Sequence, residues 1–232
     1  GPLPAQAISG TTFVEVTVPP CGWTPLRSAS PVSVSNNLKA EARLLENELV
    51  RIEFNERGEI TSLYDKQMAR EMAVGPCNAF RMFKDVPTNF DAWDIDSMYE
   101  QTPVALDEPA EVEVIASGPL VAILRVTRKL HNSTLRQAIM LRRNSRRVDF
   151  KTSIDWQEEH KLLKVCFPVD IHTNEGVHEI QFGHLRRPNH KSRPFDQDRF
   201  GVCNHKWSAV VEENRGVAVL NDCKYGINVD GN

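Results

Sequence analysis

The sequence predicts an all-β protein with two large, stacked antiparallel sheets. Short segments in which apolar and polar residues alternate recur along the chain, turn-forming residues separate them, and no segment keeps an apolar period of 3.6 residues. The chain has 232 residues, which is enough to bury a sizeable core without disulfides. Hydrophobic residues make up 41% and charged residues 25%, a balance that excludes a disordered or collagen-like chain.

The first predicted element is a strand over residues 12–18. Its apolar and polar side chains alternate until Pro19 and Pro20 end the pattern. Residues 19–37 are rich in Pro, Ser and Asn, which is typical of a linker. We therefore expect a second region to open near residue 38.

That second region opens with a predicted β-hairpin. Apolar side chains share one face of a strand over residues 49–54, and a strand over residues 59–64 returns after a turn at 55–58. Gly58 in this turn is expected to adopt a positive φ angle. Residues 65–72 are predicted to hold a short helical turn.

Nine further strands are predicted, with turns at pairs such as Asn132-Ser133 and Asn144-Ser145. The predicted strands cover residues 79–83, 111–116, 120–130, 135–142, 147–156, 162–170, 177–182, 207–211 and 216–220. Residues 225–232 look like a strand that leads into a turn without a closing element. We therefore expect the chain to be part of a longer polypeptide.

Charge and apolar run lengths argue against two classes of partner. Lys and Arg together number 28 and Asp and Glu 31, for a net charge of -3, whereas nucleic-acid-binding domains tend to be basic. The longest apolar runs are only a few residues long, too short to cross a bilayer. We expect neither a nucleic-acid partner nor a membrane span.

The five cysteines favour a reducing compartment. Their number is odd and no two are at CxxC spacing, so the sequence predicts neither a disulfide framework nor a zinc ribbon. The expected compartment is the cytoplasm, and the expected role of these cysteines is that of small, partly buried hydrophobic residues.

An arginine-rich stretch at residues 140–149 could in principle contact phosphate. It carries four guanidinium groups around a turn, but no aromatic residues are interleaved and the net charge is negative. The sequence therefore favours the solvated tip of a hairpin.

A group of histidines and aspartates could hold a divalent metal. His184, His190 and His205 flank Asp196 and Asp198, but the spacings are long and match no short ligand motif. The sequence therefore favours polar loop residues and predicts no metal here.

The stretch at residues 85–96 surrounds one aromatic ring with carboxylates. Asp94 and Asp96 would share a face of an extended segment, and Asp91 and Trp93 lie beside them. Paired carboxylates beside an aromatic platform suit a sugar-processing site. From the chemistry alone, a loop whose aspartates cap turns and whose Trp93 fills the core is favoured.

A second polar group lies near the end of the chain. His205 and Trp207 precede a predicted buried strand over residues 216–220, and Asp222 and Lys224 follow it. Polar side chains at a strand end can form part of a ligand rim. A purely structural turn is equally supported.

These stretches resemble glycoside hydrolase family 38, the α-mannosidases, of the cytosolic and bacterial type. The resemblance covers nearly the whole chain in order. It is carried by the segments VTVPPCGW at residues 16–23, DVP at 85–87, DAWDID at 91–96, EIQFGHLRRP at 179–188, HKW at 205–207 and LNDCKYG at 220–226.

The resemblance implies a domain order. Family members have an N-terminal α/β barrel, a helical bundle, a small β domain and a large C-terminal β supersandwich like galactose mutarotase. They are retaining, exo-acting enzymes whose Asp nucleophile and divalent metal, usually zinc, lie in the N-terminal part. No position of this sequence matches that part. We therefore expect the remnant of the small β domain over residues 1–37, a supersandwich truncated at its C-terminal end over 38–232, and no catalytic residue or cofactor.

The resemblance also implies partners and a site. The expected partners are the N-terminal catalytic domain of the same polypeptide, a mannose-containing oligosaccharide and further copies of the protein in a homo-oligomer. The residues expected to line the rim of the mannose pocket are Asp91, Trp93, Asp94, Asp96, His205, Trp207, Asp222 and Lys224.

Two alternative functions remain open at this point. The first is a stand-alone carbohydrate-binding module with Trp93, Asp94 and His205 as its site. The second is a mutarotase-like sugar epimerase, since a shared fold does not fix function. The epimerase would need a histidine and a carboxylate facing one cleft.

Overall fold

The chain folds almost entirely into antiparallel β-structure. The computed structural model describes residues 3–26, 32, 34–91 and 93–231. Every strand pair whose register is described is antiparallel. The prediction of an all-β fold is confirmed. In the described ranges, no helix has both the length and the apolar character needed to cross a bilayer.

The strands of the first two thirds of the chain are β1 (Ala5–Ile8), β2 (Thr11–Val14), β3 (Lys39–Glu41), β4 (Leu44–Glu46), β5 (Val50–Phe54), β6 (Ile60–Asp65), β7 (Arg70–Glu71), β8 (Ala79–Lys84), β9 (Pro103–Val104), β10 (Glu111–Ser117), β11 (Val121–Leu130), β12 (Ser133–Arg142) and β13 (Val148–Asp155). The remaining strands are β14 (Lys161–Cys166), β15 (Glu175–Ile180), β16 (Gly183–Pro188), β17 (Val202–Cys203), β18 (Trp207–Glu212), β19 (Arg215–Leu220) and β20 (Gly226–Ile227). The helical elements are a 3₁₀ turn (Tyr99–Gln101) and α1 (Pro194–Gln197).

These strands form sheets of two to five strands. In the part of the chain that the structure describes, the strand orders are β1-β2, β3-β4-β5-β6-β7, β10-β11-β12-β13, β14-β8-β9, β16-β15-β18-β19 and β17-β20. The chain divides into two compact units. The first unit comprises residues 1–82, 105–159 and 163–168, and the second comprises 83–104, 160–162 and 169–232. The proposed domain boundary near residue 37 stays a prediction, and residues 27–31 and 33 of the predicted linker lie outside the described residues.

The sequence prediction differs from the structure at residues 65–72. This segment forms a turn that leads into β7, so the prediction of a short helical turn is wrong. The Asp65 carboxylate accepts the backbone N–H groups of Gln67 and Met68, at 2.9 Å each. A side chain that bonds the backbone two and three residues ahead stabilises a turn at the expense of a continuing helix.

The arginine-rich stretch is a hairpin tip, as predicted. Its side chains form ion pairs at the protein surface. Arg142 and Arg147 both pair with Asp149, and Arg146 pairs with Asp65. These three guanidinium groups are therefore committed within the first unit.

Strands β11 and β12 supply the centre of the first unit. Leu124 and Val126 of β11 are fully buried, as are Leu135, Ile139 and Leu141 of β12. The buried positions of β12 recur at every second residue, because successive side chains of a strand point to opposite faces.

The N-terminal strands are fastened to β11 through one amide. The Gln6 Oε1 atom accepts the N–H groups of Leu120 and Val121, at 2.8 Å each, and Nε2 donates to the Val121 carbonyl at 3.0 Å. Ile8 and Phe13 pack against the apolar cluster formed by Leu120, Val121 and Ile123. Residues from the predicted first region therefore share a core with β11.

A buried guanidinium fixes the hairpin turn at residues 55–58. Arg128 is 6% exposed and donates to the carbonyl oxygens of Arg57 at 2.8 Å, Gly58 at 2.5 Å and Asn78 at 3.4 Å. Its guanidinium carbon lies 4.8 Å from the centroid of the Phe80 ring. Burial lowers the pKa of Arg128 to about 10, so the side chain stays charged at neutral pH.

Gly58 is required by the same turn. Its φ angle is +69°, as the sequence predicts, and a Cβ atom there would lie 2.5 Å from Val126 Cγ1. Any larger residue would collide with the strand that carries Arg128.

The second unit contains a buried histidine. His178 of β15 is 1% exposed, and its Nδ1 atom lies 2.8 Å from the hydroxyl of Ser208 in β18. Burial, with a smaller contribution from the charge of Arg187, lowers the pKa of His178 to about 4. This histidine is therefore neutral in the folded chain at physiological pH.

We predict that Arg128→Met lowers the free energy of unfolding by about 3 kcal/mol, because it leaves buried carbonyl groups without a donor. The matched control is Arg125→Met on the exposed face of the same strand, which removes only a surface ion pair to Glu113 and should cost about 1 kcal/mol or less. Urea unfolding of the chain measures both values. Equal losses in the two variants would contradict the proposed role of Arg128.

We predict that His178 makes the chain less stable as the pH falls from about 6.5 to about 4. The unfolded chain binds a proton on this histidine below its ordinary pKa of 6.5, whereas the folded chain does not until about pH 4. The contribution is at most about 1.4 kcal/mol per pH unit across this window. Urea unfolding at several pH values measures it.

The control for this pH dependence is a pair of variants. The difference in stability between the unmodified chain and His178→Asn should change with pH in that window. The exposed His131 sits at a positive φ that Asn tolerates, so His131→Asn is the matched substitution of a surface histidine. A His178→Asn variant with an unchanged pH profile would refute the assignment.

Candidate functional site

The predicted rim residues lie on two segments of the second unit. Asp91, Trp93, Asp94 and Asp96 lie on a loop at residues 85–98, which we call the aromatic loop. The other four lie around the segment 203–207 and the turn 221–225, which we call the C-terminal corner. The two segments are described in turn.

The aromatic loop exposes its largest apolar side chains. The Trp93 side chain is 91% exposed and Phe90 is 75% exposed, and Val86, Ile95 and Met98 are exposed beside them. The alternative in which Trp93 fills the core is therefore wrong. Ala92 of this loop lies outside the described residues.

The polar groups of the aromatic loop mostly stabilise its own turns. The Phe90 carbonyl accepts the N–H groups of Trp93 at 2.8 Å and of Asp94 at 3.0 Å. The Asp96 carboxylate accepts the N–H of Met98 at 2.8 Å, just before the 3₁₀ turn. This contact confirms the turn-capping interpretation for Asp96 and uses one oxygen of the predicted carboxylate pair.

Asp91 faces a different partner from the other aspartates of the loop. Its Oδ1 atom lies 3.9 Å from Nδ1 of His160, which forms an ion pair when the imidazole is protonated. The backbone also joins these segments, since the Asp85 N–H donates to the His160 carbonyl at 2.9 Å. His160 is a neighbour of the loop that the sequence pattern does not indicate.

The C-terminal corner is organised by Asn221. Its Oδ1 atom accepts the N–H groups of Cys223 at 3.3 Å and Lys224 at 2.7 Å, which closes the turn after β19. Its Nδ2 atom donates to the His205 carbonyl at 3.4 Å. Asp222 and Lys224 are thereby held at the exposed side of this turn.

Glu179 of β15 holds the other side of the corner. Its backbone carbonyl accepts the His205 N–H at 3.0 Å, and its Oε2 atom accepts the Lys206 N–H at 2.6 Å. Glu179 opens the family-like segment at residues 179–188 but is not among the predicted rim residues. Its partners are 26 and 27 residues away in sequence, so only the fold brings them together.

Two aromatic contacts orient the rings of the corner. The His205 ring stacks on Tyr225, with centroids 5.7 Å apart and planes at 24°. Trp207 lies against His184 instead, with centroids 6.4 Å apart. His205 and Trp207 therefore contribute to different parts of the surface.

A cavity of about 340 Å³ lies at this corner. Its lining residues are Glu179, Ile180, Gln181, Cys203, Asn204, His205 and Tyr225. Asn204 is 6% exposed, and its Oδ1 atom has no hydrogen-bond partner among the described residues. Of these residues the sequence analysis assigned only His205 to the site, although Asn204 precedes it directly.

A second cavity of about 350 Å³ has a basic lining. Arg187, His190 and Arg199 line it, and Asp196 from the predicted histidine and aspartate group also reaches it. The Asp196 carboxylate is committed to Arg193, which donates through Nε at 3.0 Å and Nη2 at 2.9 Å. That bidentate pair lowers the pKa of Asp196 below its ordinary value.

The described residues show no cluster of candidate metal ligands. Among residues 3–26, 32, 34–91 and 93–231, no group of three His, Cys, Asp or Glu side chains is arranged to hold an ion. No described residue is therefore assigned a role in binding a metal ion.

Comparison with known proteins identifies relatives along most of the chain. The family model for the glycosyl hydrolases family 38 C-terminal domain matches residues 45–232. Human "Alpha-mannosidase 2C1" is 36% identical over 222 residues, which are 92% of this chain and 21% of the human protein. "Alpha-mannosidase G" of Dictyostelium discoideum is 36% identical over 247 residues, with 96% of this chain and 22% of that protein covered.

Solved structures share the fold at low sequence identity. The crystal structure of an alpha-mannosidase from Enterococcus faecalis V583 superposes with a TM-score of 0.67 and 14% identity, covering 84% of this chain and 25% of that one. A second Enterococcus faecalis structure, of a protein in the glycosyl hydrolase family 38, gives a TM-score of 0.68 over 88% of this chain.

The chain spans about a fifth of the length of the curated relatives that it matches. The match to the family model nevertheless covers most of the chain. This protein therefore belongs to glycosyl hydrolase family 38, and the part of that family it represents is the C-terminal domain.

Proposed function

We propose that this chain is the C-terminal β part of a retaining, metal-dependent α-mannosidase that removes terminal α-mannosyl residues from oligosaccharides. In this proposal the chain packs against the N-terminal catalytic domain of the same polypeptide and lines the rim of its mannose pocket. We also propose that copies of the parent protein contact one another in a homo-oligomer. The chain by itself does not catalyse hydrolysis.

The proposal rests on two facts taken together: the family to which the chain belongs, and the small fraction of its relatives' length that it covers. The family model is that of a C-terminal domain, and relatives named as α-mannosidases extend over about five times the matched length. The sequence analysis found no positions that resemble the nucleophile or the metal ligands of the family. The reactive groups are accordingly assigned to the remainder of the polypeptide, and zinc is the metal proposed there.

The carboxylates of the aromatic loop support a non-catalytic role. Asp96 caps a turn and Asp91 faces His160, so these two side chains do not form a free acid and base pair. Asp94 and Trp93 remain exposed at the surface, where they can meet another part of the polypeptide or a sugar.

The apolar side chains of the aromatic loop support docking on the catalytic domain. Trp93 and Phe90 expose most of their surface, and three further apolar side chains of the same loop are exposed with them. Contiguous exposed apolar surface marks an interaction site in a soluble protein. We assign this surface to the catalytic domain because the relatives carry about four fifths of their length outside the matched region.

The cysteines support a cytoplasmic location for the parent protein. Cys21, Cys77, Cys203 and Cys223 are free thiols. Structural disulfides are rare in the reducing cytoplasm. Burial raises the pKa of Cys77 to about 12, so this thiol is unreactive at neutral pH.

We predict that the isolated chain releases no aryl alcohol from an aryl α-mannoside above the blank, with or without added zinc. The physical reason is that the described residues include no group of three metal-ligating side chains, and that Asp91 and Asp96 of the aromatic loop face other partners. The assay is the absorbance of the released phenolate. Turnover that depends on added metal, and that a chelator abolishes, would overturn the proposal.

We predict that Trp93→Ala in the full-length parent polypeptide lowers kcat/KM for the aryl α-mannoside by at least about tenfold. Truncation of a central interface tryptophan costs enough binding energy to displace the docked loop. The matched control is Trp23→Ala, since Trp23 is 79% exposed but lies outside the aromatic loop. Equal kcat/KM values for the two variants would contradict docking through this loop.

A further inference from the structure

The cavity of about 350 Å³ in the second unit has more cationic than anionic side chains in its lining. We call it the basic cavity. The cationic side chains are those of Arg186, Arg187, Lys191 and Arg199, and the carboxylates are those of Asp196 and Asp230. The partners of these six groups decide which charges remain for a ligand.

Both carboxylates of the basic cavity have cationic partners. Asp196 accepts two hydrogen bonds from the guanidinium of Arg193, at 3.0 Å and 2.9 Å, and Arg193 is not a lining residue. The Oδ1 atom of Asp230 lies 3.7 Å from Nζ of Lys191. The negative charges of the lining are therefore balanced without the three lining arginines.

Two of the three lining arginines have no carboxylate partner among the described residues. Arg186 forms an ion pair with Glu175. Arg187 uses Nη1 to donate to the Cys203 carbonyl at 2.7 Å, which leaves most of its N–H donors unused. The exposed side chain of Arg199 forms neither a hydrogen bond nor an ion pair with any described residue.

The unpaired guanidinium of Arg199 is held in place by an aromatic ring. Its guanidinium carbon lies 5.1 Å from the centroid of Phe195, and that of Arg193 lies 4.4 Å from the same centroid. The backbone N–H of Arg199 donates to the Asp196 carbonyl at 3.3 Å. A side chain that is already positioned loses less conformational entropy when it binds a ligand.

The charge and size of the basic cavity favour a phosphate ester over other small ligands. A phosphate monoester carries a charge of about −1.5 to −2 at pH 7 and offers three acceptor oxygens, which matches two guanidinium groups without carboxylate partners. A neutral ligand would gain nothing from these charges. The volume of about 350 Å³ lies within the range of small-molecule sites, so an organic group can enter together with the phosphate.

We propose that the basic cavity binds a small phosphomonoester, with the guanidinium groups of Arg187 and Arg199 donating hydrogen bonds to the phosphate oxygens. This inference does not depend on the proposed function. The affinity expected for two such contacts in an open site is in the millimolar range. Added salt weakens the binding, because it screens exposed charges.

The experiment is a titration of the ¹⁵N-labelled chain at pH 7, followed by NMR at constant ionic strength. The probes are glycerol 3-phosphate and inorganic phosphate, each raised to about 20 mM so that a millimolar Kd is approached or exceeded. We expect saturable shifts for the Nε–H signals of Arg187 and Arg199 and for the backbone N–H of His190. Glycerol, which lacks only the phosphate, should not shift these signals.

Two variants that remove the same charge test the role of Arg199. Arg199→Gln should weaken binding of glycerol 3-phosphate by at least about tenfold, because it removes a charge-assisted donor. Its melting temperature should stay close to that of the unmodified chain, since this side chain is exposed and bonds no described residue. Arg215→Gln is the control, because Arg215 lies in the same unit but pairs with Glu212 outside the cavity. It should leave the Kd unchanged.

Three results would overturn the inference. The first is the absence of saturable shifts with both phosphate probes. The second is an equal Kd for Arg199→Gln and the unmodified chain. The third is an equal loss of affinity in Arg199→Gln and Arg215→Gln, which would show that only the net charge matters.

A second titration distinguishes a small ligand from an acidic side chain elsewhere in the parent polypeptide. The full-length polypeptide should bind glycerol 3-phosphate with about the same Kd as the chain described here. Loss of binding in the full-length polypeptide would show that its own residues fill the cavity, and would overturn the assignment to a phosphomonoester. None of these results bears on the turnover assay that tests the proposed function.

Discussion

The buried guanidinium of Arg128 is the contact on which the larger unit depends. It joins a central strand to the turn of the preceding hairpin and to the carbonyl of Asn78, so three distant stretches of chain share one charged donor. A charge this deeply buried is tolerated only because carbonyl oxygens replace water around it. Gly58 follows from the same arrangement, because the guanidinium and Val126 leave no space for a Cβ atom.

In the smaller unit, too, side chains that hydrogen-bond to the backbone hold segments of the chain in place. Asn221 closes one turn through its carbonyl oxygen, and Glu179 holds residues 205 and 206 beside β15. These bonds fix the positions of His205, Asp222 and Lys224, which themselves lie outside the strands. Asn204 is the exception within this network, since its amide oxygen is buried but unpaired among the described residues.

Two kinds of observation, family membership and the chemistry of the described side chains, bear on the proposal that the chain is one part of a larger enzyme. The chain corresponds to a C-terminal domain and spans about a fifth of its relatives. Its described residues offer no three-ligand metal group. The exposed aromatic loop gives the proposed docking a physical basis. If nothing covered Trp93 and Phe90, their large apolar surfaces would stay in contact with water, which is energetically unfavourable. In the proposed function, the catalytic domain would cover this loop.

The sequence by itself determined the all-β class, most strand positions and the family, because a period of two residues, turn residues and local motifs are properties of neighbouring positions. The hairpin at residues 49–64 and the positive φ of Gly58 were predictable for that reason. Only the tertiary structure decided that Trp93 is exposed, that His178 is buried and that the Asn204 Oδ1 atom has no hydrogen-bond partner among the described residues. Such outcomes depend on residues far away in the chain: the His178 Nδ1 atom meets the hydroxyl of Ser208 across 30 positions, and the Asn204 N–H donates to the carbonyl of Tyr225. A local sequence pattern does not say which distant residues will pack against a side chain, hydrogen-bond to it or leave it exposed.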